Sequence, residues 1–202
     1  VSTKAALSKI VILWQIALRV GVLRNHLTAE QAESHRKRLF DFSGLVEKMI
    51  NEESGFIRDL AKNTSHVRNW LFMGRGIFYP IALESALKMK EVTYVHAEGL
   101  PAGFLKHGTL AMVDENMYSL FFLPSRGDSE LFHATLMAIE EVKARNGKVI
   151  AFCTQDDTEV QRLLDHYFVI PETEPEMTPL VEMVIAQLFS YYSALNLGLN
   201  ID

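Results

Sequence analysis

The sequence contains a single cysteine, Cys153, among its 202 residues. A disulfide framework and a cysteine-rich metal site both need several cysteines, so this chain can form neither by itself. Cys153 follows the apolar run at residues 149–152, a setting typical of a small buried thiol. The histidines are scattered, and none belongs to a His-Glu-x-x-His motif, so no metal-ligand spacing is formed.

Strong charge of one sign is also missing. The formal net charge is -5, and no run of Lys or Arg stands out. Proteins that bind a phosphate backbone by releasing counterions need clustered basic side chains. Nucleic acid is therefore not an expected partner.

Long uninterrupted apolar runs are absent as well. The most apolar stretch, residues 10–20, is interrupted by Gln15 and Arg19 and is shorter than the roughly 20 residues needed to cross a bilayer. It is expected to form a buried helix, with no membrane partner. The start shows no charged, apolar and small-residue regions in series, so cytoplasm is the expected compartment. Because the chain opens without Met inside a helical pattern, the protein is expected to extend further toward its N-terminus.

The first third of the chain has a helical pattern. Thr3 is placed to cap an apolar helix that ends near Leu23, and Thr28 with Gln31 has the spacing of a capping box that opens a helix toward residue 50. A shorter helix is predicted at residues 53–62. We expect this helical segment, residues 1–64, to precede a separate domain at residues 65–202.

From residue 67 onward, short apolar runs alternate with helical patterns. Such alternation implies parallel strands joined by right-handed crossovers. The predicted fold class is α/β, a three-layer sandwich with a parallel sheet preceded by a helical segment. Strands are predicted at 70–73, 118–123, 148–152 and 166–170, and helices at 80–92, 130–145, 159–164 and 180–197.

Two loops follow predicted strands, where open parallel sheets bind ligands. Gly74-Arg75-Gly76 could expose backbone N–H groups to an anion, or could be a purely structural tight turn. The loop at residues 125–130 contains two hydroxyls and an arginine and could hold a sugar phosphate. However, Asp128 or Ser129 can cap the next helix, and the acidic side chains there would repel a phosphate, so the cap is favoured.

A third candidate lies on the helix that follows the first loop. Glu84, Lys88 and Glu91 share one helical face at i, i+4 and i+7. Periodicity alone favours an ordinary solvated ion pair worth about 0.5 kcal/mol or less. Alternatively, a carboxylate beside a lysine can act as a base that moves a proton between neighbouring sugar carbons.

The segment at residues 94–111 has little alternation and carries polar groups among glycines. This composition is more typical of a segment that lines a site than of one that fills a core. It contains His96 and His107. Either imidazole could act near neutral pH, although a single histidine is more often structural or solvated than catalytic.

Five pieces of sequence together resemble one family. They occur in the order Gly74-Arg75-Gly76, 79–84, 87–91, 96–98 and 106–108, and their order and spacing resemble the second sugar-isomerase (SIS) lobe of the glucosamine-6-phosphate synthases. The opening Ser2-Thr3-Lys4-Ala5 resembles the segment that starts the last long helix of the preceding lobe. The resemblance implies a flavodoxin-like SIS fold and a homodimer. It also implies synthesis of glucosamine 6-phosphate and glutamate from fructose 6-phosphate and glutamine, without a metal or organic cofactor.

The resemblance also implies roles for individual residues. Glu91 resembles the base that moves a proton between C1 and C2, and His107 resembles the residue that opens the sugar ring from the neighbouring subunit. Glu84 and Lys88 resemble the charges that support the base. The remaining substrate-binding residues implied are Ser2, Lys106 and Gly108.

The chain departs from the family pattern at two positions: Phe104 stands where many members have Glu, and Thr109 where many have Pro. The sequence also lacks a glutaminase domain, the Ser/Thr-rich phosphate loops of the first lobe and the tail lysine that forms a Schiff base. We therefore expect this chain to be inactive alone and to need those parts of the same polypeptide as partners. The alternatives are a stand-alone sugar-phosphate isomerase, a fructosamine deglycase or a sugar-phosphate sensor. A sensor would not need a base and a ring-opening histidine.

Overall fold

The computed structural model describes residues 2–201, which divide into two compact units, Ser2–Glu52 and the part from Glu53 onward. Two short 3₁₀ helices, Ala102–His107 and Thr109–Met112, follow the second strand. The helices and strands are α1 (Thr3–Leu23), α2 (Ala29–Asn63), β1 (Asn69–Gly74), α3 (Phe78–Thr93), β2 (His96–Pro101), β3 (Tyr118–Phe121), α4 (Ser129–Lys143), β4 (Lys148–Cys153), α5 (Thr158–Gln161), β5 (His166–Val169) and α6 (Thr178–Asn196).

The capping box predicted at the start of α2 is confirmed. The Thr28 N–H donates to Gln31 Oε1 at 2.8 Å, and the Gln31 N–H donates to Thr28 Oγ1 at 3.1 Å. The predicted break after residue 50 is wrong, because α2 runs unbroken to Asn63 and contains no proline to interrupt it. The predicted Thr3 cap is also wrong, since Thr3 is already helical and the preceding Ser2 makes no side-chain capping bond.

Helix α1 has the predicted bounds but not the predicted burial. Leu18 is its buried residue, whereas Ile12, Leu13 and Ile16 are each more than half exposed. The apolar side chains of α1 lie on all sides of the helix. In the Ser2–Glu52 unit, α2 is the one other helix. Among residues 2–201, α1 is the one helix that is long and apolar enough to cross a membrane by length and composition, with a mean hydropathy of 1.7, so the apolar segment is longer than the sequence interpretation assumed. A single such helix near the N-terminus is weak evidence for a span.

The second unit contains a five-stranded parallel sheet in the order β2-β1-β3-β4-β5. The predicted α/β class is therefore confirmed. Strand β2 was missed, because this edge strand has the sequence His-Ala-Glu-Gly-Leu-Pro, which lacks both alternation and β-branched residues. The chain leaves β1 toward β2 on one side and returns to β3 on the other. This order places a topological switch point between β1 and β3.

Helices cover both faces of the sheet, as the three-layer prediction requires. On one face, strand residues such as Phe121 and Ala151 form a buried core with Phe132 of α4 and Leu105 of the first 3₁₀ helix. On the other face, the ring of Phe189 from α6 lies 5.5 Å from Trp70 and 5.6 Å from Phe168, measured between centroids. These apolar contacts fix the sheet relative to its helices.

Cys153 ends β4 and is buried, as predicted, with 4% of its surface exposed. Burial raises the pKa of its thiol to about 11, and Gln161 and Asp157 contribute smaller effects. The side chain is therefore a neutral thiol at pH 7 and belongs to the core.

Strand β2 passes unusually close to α3, which predicts a large effect of a small substitution. A Cβ atom at Gly99 would lie 2.7 Å from Leu83 Cα and 3.1 Å from the Ala82 carbonyl oxygen. Both are backbone atoms, so neither can move without shifting the strand from the helix. We expect Gly99→Ala to lower the free energy of unfolding by about 1–3 kcal/mol, measured by urea denaturation.

Gly127→Ala is the matched control, because its Cβ would make only an ordinary contact of 3.5 Å with Pro175 Cγ. The control should change the free energy of unfolding by about 0.5 kcal/mol or less. Equal unfolding midpoints for wild type and Gly99→Ala would show that β2 and α3 are not packed this closely.

Candidate active site

Three charged side chains of α3 form one ionic cluster. Lys88 Nζ lies 2.6 Å from Glu91 Oε2 and 3.6 Å from Glu84 Oε1. The cluster follows the helix for about 10 Å, from its second turn to its last. Within residues 2–201, Glu91 Oε1 makes no hydrogen bond or ion pair, so this carboxylate keeps one oxygen for another group.

The three side chains differ sharply in exposure. The Lys88 side chain is 5% exposed, whereas Glu84 is 26% and Glu91 is 42% exposed. The solvated ion pair favoured by periodicity is therefore wrong, because its central cation is buried. A buried ammonium group has to be paired to avoid a large desolvation cost, and here Lys88 also offsets the negative end of the helix dipole near Glu91.

His107 lies at the end of the first 3₁₀ helix and is exposed. Its ring is 5.5 Å from that of Phe104, centroid to centroid, because residues i and i+3 eclipse one another in a 3₁₀ helix. Phe104 itself is 64% exposed. Among the described residues, no hydrogen bond or ion pair joins His107 to the α3 cluster, so the structure does not bring these two parts of the predicted site into direct contact.

The other predicted substrate-binding residues are dispersed. Lys106 Nζ is 2.8 Å from Glu141 Oε1 of α4, so its ammonium group already has an acceptor. Gly108 has a φ of 141°, which a residue with a side chain rarely adopts. Ser2 belongs to the first unit, precedes α1 and is exposed.

The Gly74-Arg75-Gly76 turn has a structural reason for both glycines. A Cβ at Gly74 would collide with the Phe78 carbonyl oxygen, and Gly76 has a φ of 57°. The structural interpretation thus explains the glycines, while the arginine between them is left unexplained.

The loop after β3 supports the favoured interpretation of a helix cap. The Asp128 side chain accepts from the Leu131 N–H at 3.4 Å, at the start of α4. Arg126 Nη2 lies 2.6 Å from Asp157 Oδ1, and its guanidinium lies 4.8 Å from the ring centroid of Phe132. Because Arg126 is already paired with Asp157, the loop is poorly suited to binding a phosphate.

Sequence reasoning missed one ionisable group, Glu182 of α6. It is fully buried, and its Oε1 accepts from the Leu123 N–H at 3.2 Å, while its Oε2 has no partner among the described residues. Burial raises its pKa well above the ordinary value, although the bond from Leu123 acts in the opposite direction. The signal was present in the sequence, because Glu182 is the one charge within the apolar run at residues 179–186.

The SIS domain family model matches residues 65–197. This chain belongs to the SIS domain family. This chain is similar in structure to the C-terminal domain of glucosamine-fructose-6-phosphate aminotransferase from Francisella tularensis. The match has a TM-score of 0.82 and 34% sequence identity, and it covers 93% of this chain and 52% of that one.

Curated sequences give a consistent picture. Glutamine–fructose-6-phosphate aminotransferase (isomerizing) of Thermus thermophilus is 38% identical over 201 residues, which is 100% of this SIS chain and 33% of the relative. A putative tagatose-6-phosphate ketose/aldose isomerase from Clostridium novyi has a TM-score of 0.74 but 20% identity, so it shows the fold alone. The chain thus spans about a third of the length of that Thermus relative.

Proposed function

We propose that this chain is an isomerase part of an enzyme that makes glucosamine 6-phosphate and glutamate from fructose 6-phosphate and glutamine. Its step is the ketose-to-aldose isomerisation. The observation that carries the proposal is the cluster of Glu84, Lys88 and Glu91, whose buried lysine holds one oxygen of a half-exposed carboxylate. Similarity over the whole of this chain, and about a third of each relative, to glutamine–fructose-6-phosphate aminotransferases supports it.

In the proposed reaction, Glu91 takes a proton from C1 of the open-chain sugar and returns it to C2. A second proton passes from the C1 hydroxyl to the oxygen or nitrogen on C2, so that the ketose becomes an aldose and the carboxylate is regenerated. Lys88 keeps Glu91 oriented, and Glu84 shares the charge of Lys88. The partner subunit's His107 would open the sugar ring, while Ser2, Lys106 and Gly108 would contact the substrate.

The helical segment at residues 1–64 would belong to the end of a preceding SIS lobe and a linker, and residues 65–202 would form the second SIS domain. Partners would be a glutaminase and a first SIS lobe of the same polypeptide, together with a second copy in a homodimer. The enzyme would work in the cytoplasm, without a metal or organic cofactor.

The test is product analysis on the complete protein with fructose 6-phosphate and either glutamine or ammonia. Glucosamine 6-phosphate formed with glutamine supports the proposal. Isomerisation that ignores glutamine would instead indicate a stand-alone isomerase. Sugar binding without any product would indicate a sensor.

Mixed dimers test whether His107 acts in trans. His107→Ala and Glu91→Gln subunits are each expected to be inactive alone, but a mixed dimer would pair the intact Glu91 of one subunit with the intact His107 of the other. Random mixing should restore about a quarter of wild-type turnover, because about half of the dimers are mixed and each has one intact site.

The control for this experiment is mixing of His107→Ala subunits with subunits that carry both substitutions, which can build no intact site. Equal activity in the two mixtures would show that His107 does not work across the dimer interface.

A further inference from the structure

Arg75 is a partly buried cation that has no acceptor among the described residues. Among residues 2–201 its guanidinium makes no hydrogen bond or ion pair, and its Nε is fully buried without a partner. The other lysine and arginine side chains of this unit that are not exposed are each paired with a carboxylate: Lys88, Lys143 and Lys148. Buried donors in native proteins nearly always have acceptors, so the unpaired Nε of Arg75 is a donor suited to a group from outside the chain.

The position of Arg75 is suited to a ligand. It directly follows β1, at the carboxyl edge of the sheet, and β1 borders the topological switch point, where open α/β sheets bind small molecules. Its neighbour β2 ends at Pro101, which lies opposite Gly74. The turn with Arg75 and the first 3₁₀ helix therefore leave the sheet side by side.

The first 3₁₀ helix leaves room for the guanidinium. A Cβ at Gly103 would lie 3.3 Å from Arg75 Nη2 and 3.4 Å from its Cζ, so the arginine lies against the backbone of the helix that carries His107. Lys106 belongs to the same 3₁₀ helix, and its ammonium group is paired with Glu141. An anion arriving here would thus find Arg75 as the free cation.

We propose that Arg75 binds a small oxyanion, a phosphate or carboxylate group of a ligand, between the Gly74-Arg75-Gly76 turn and the first 3₁₀ helix. The planar fork of N–H donors in a guanidinium matches both groups. Because Arg75 is only partly exposed, a small group can reach it more readily than a macromolecular surface can. The proposal does not depend on the isomerisation reaction, so each can fail without the other.

The test is titration of the 202-residue chain with inorganic phosphate and, separately, with acetate, followed by the arginine Nε–H signals in ¹⁵N-edited NMR. We expect a saturable shift of the Arg75 signal with at least one anion. A stronger response to phosphate would identify a phosphate ester as the ligand class, and a stronger response to acetate would identify a carboxylate.

Arg126 is the matched control, because it follows the neighbouring strand β3 and is already held by Asp157. Arg75→Gln should weaken binding of the effective anion at least tenfold, while Arg126→Gln should leave it within twofold. If Arg75→Gln does not fold, Arg75→Lys, which keeps the charge but loses the fork, should weaken binding severalfold. No saturable shift of the Arg75 signal, or equal losses in the Arg75 and Arg126 variants, would overturn the proposal.

Discussion

Glu91→Gln in the complete protein is expected to lower isomerisation by a factor of about 100 to 10,000, the range that a positioned base contributes. The amide keeps the shape of the side chain and can still accept from Lys88, whose Nζ lies 2.6 Å away. It cannot take up a proton from C1. The measurement is exchange of the C1 proton of fructose 6-phosphate with deuterated water, together with turnover.

Two further variants show that the loss comes from the missing base. Glu91→Asp keeps a carboxylate but withdraws it by one methylene, so we expect intermediate activity. Glu140→Gln removes an exposed carboxylate from α4 and should leave turnover unchanged. Sugar binding and the thermal midpoint of Glu91→Gln should match wild type. Turnover of Glu91→Gln at the wild-type rate would exclude Glu91 as the base.

Glu182→Gln is expected to remove a pH dependence of stability. The unfolded carboxyl has a pKa near 4.3, and burial raises the folded value well above the ordinary one. Below the unfolded pKa both states are protonated, and the folded state has no penalty. As the pH rises from there toward the folded pKa, unfolding releases a proton, and wild type loses about 1.4 kcal/mol of stability per pH unit.

The Gln variant has no such proton to release, so its free energy of unfolding should vary less with pH. Gln can still accept from the Leu123 N–H through its amide oxygen, although its NH₂ group gains no obvious acceptor. The two stability curves should therefore diverge as the pH rises above the unfolded pKa, and the variant gains stability relative to wild type over that range. Urea denaturation at several pH values measures this. Parallel curves for wild type and variant would show that the pKa of Glu182 is not raised. Glu140→Gln, which removes an exposed carboxylate, is the control.

Much of the fold could be predicted from local sequence. Apolar runs flanked by turn residues located β1, β3, β4 and β5 to within a few residues, because buried parallel strands must be apolar on both faces. The Thr28–Gln31 capping box is equally local, since its two hydrogen bonds join residues three apart. Strand β2 was not predicted because an edge strand does not need to be apolar on both faces. Its Gly99 is required by the close approach of α3, which the neighbouring sequence does not indicate.

The candidate site was also predictable from local sequence only in part. Sequence spacing alone placed Glu84, Lys88 and Glu91 on one helical face, since the helical period fixes which residues are neighbours. Only the tertiary structure decided that Lys88 is buried, that Arg126 forms an ion pair with Asp157, and that Arg75 has no acceptor among the described residues. Burial and long-range pairing depend on chain segments tens of residues apart, which local periodicity does not report.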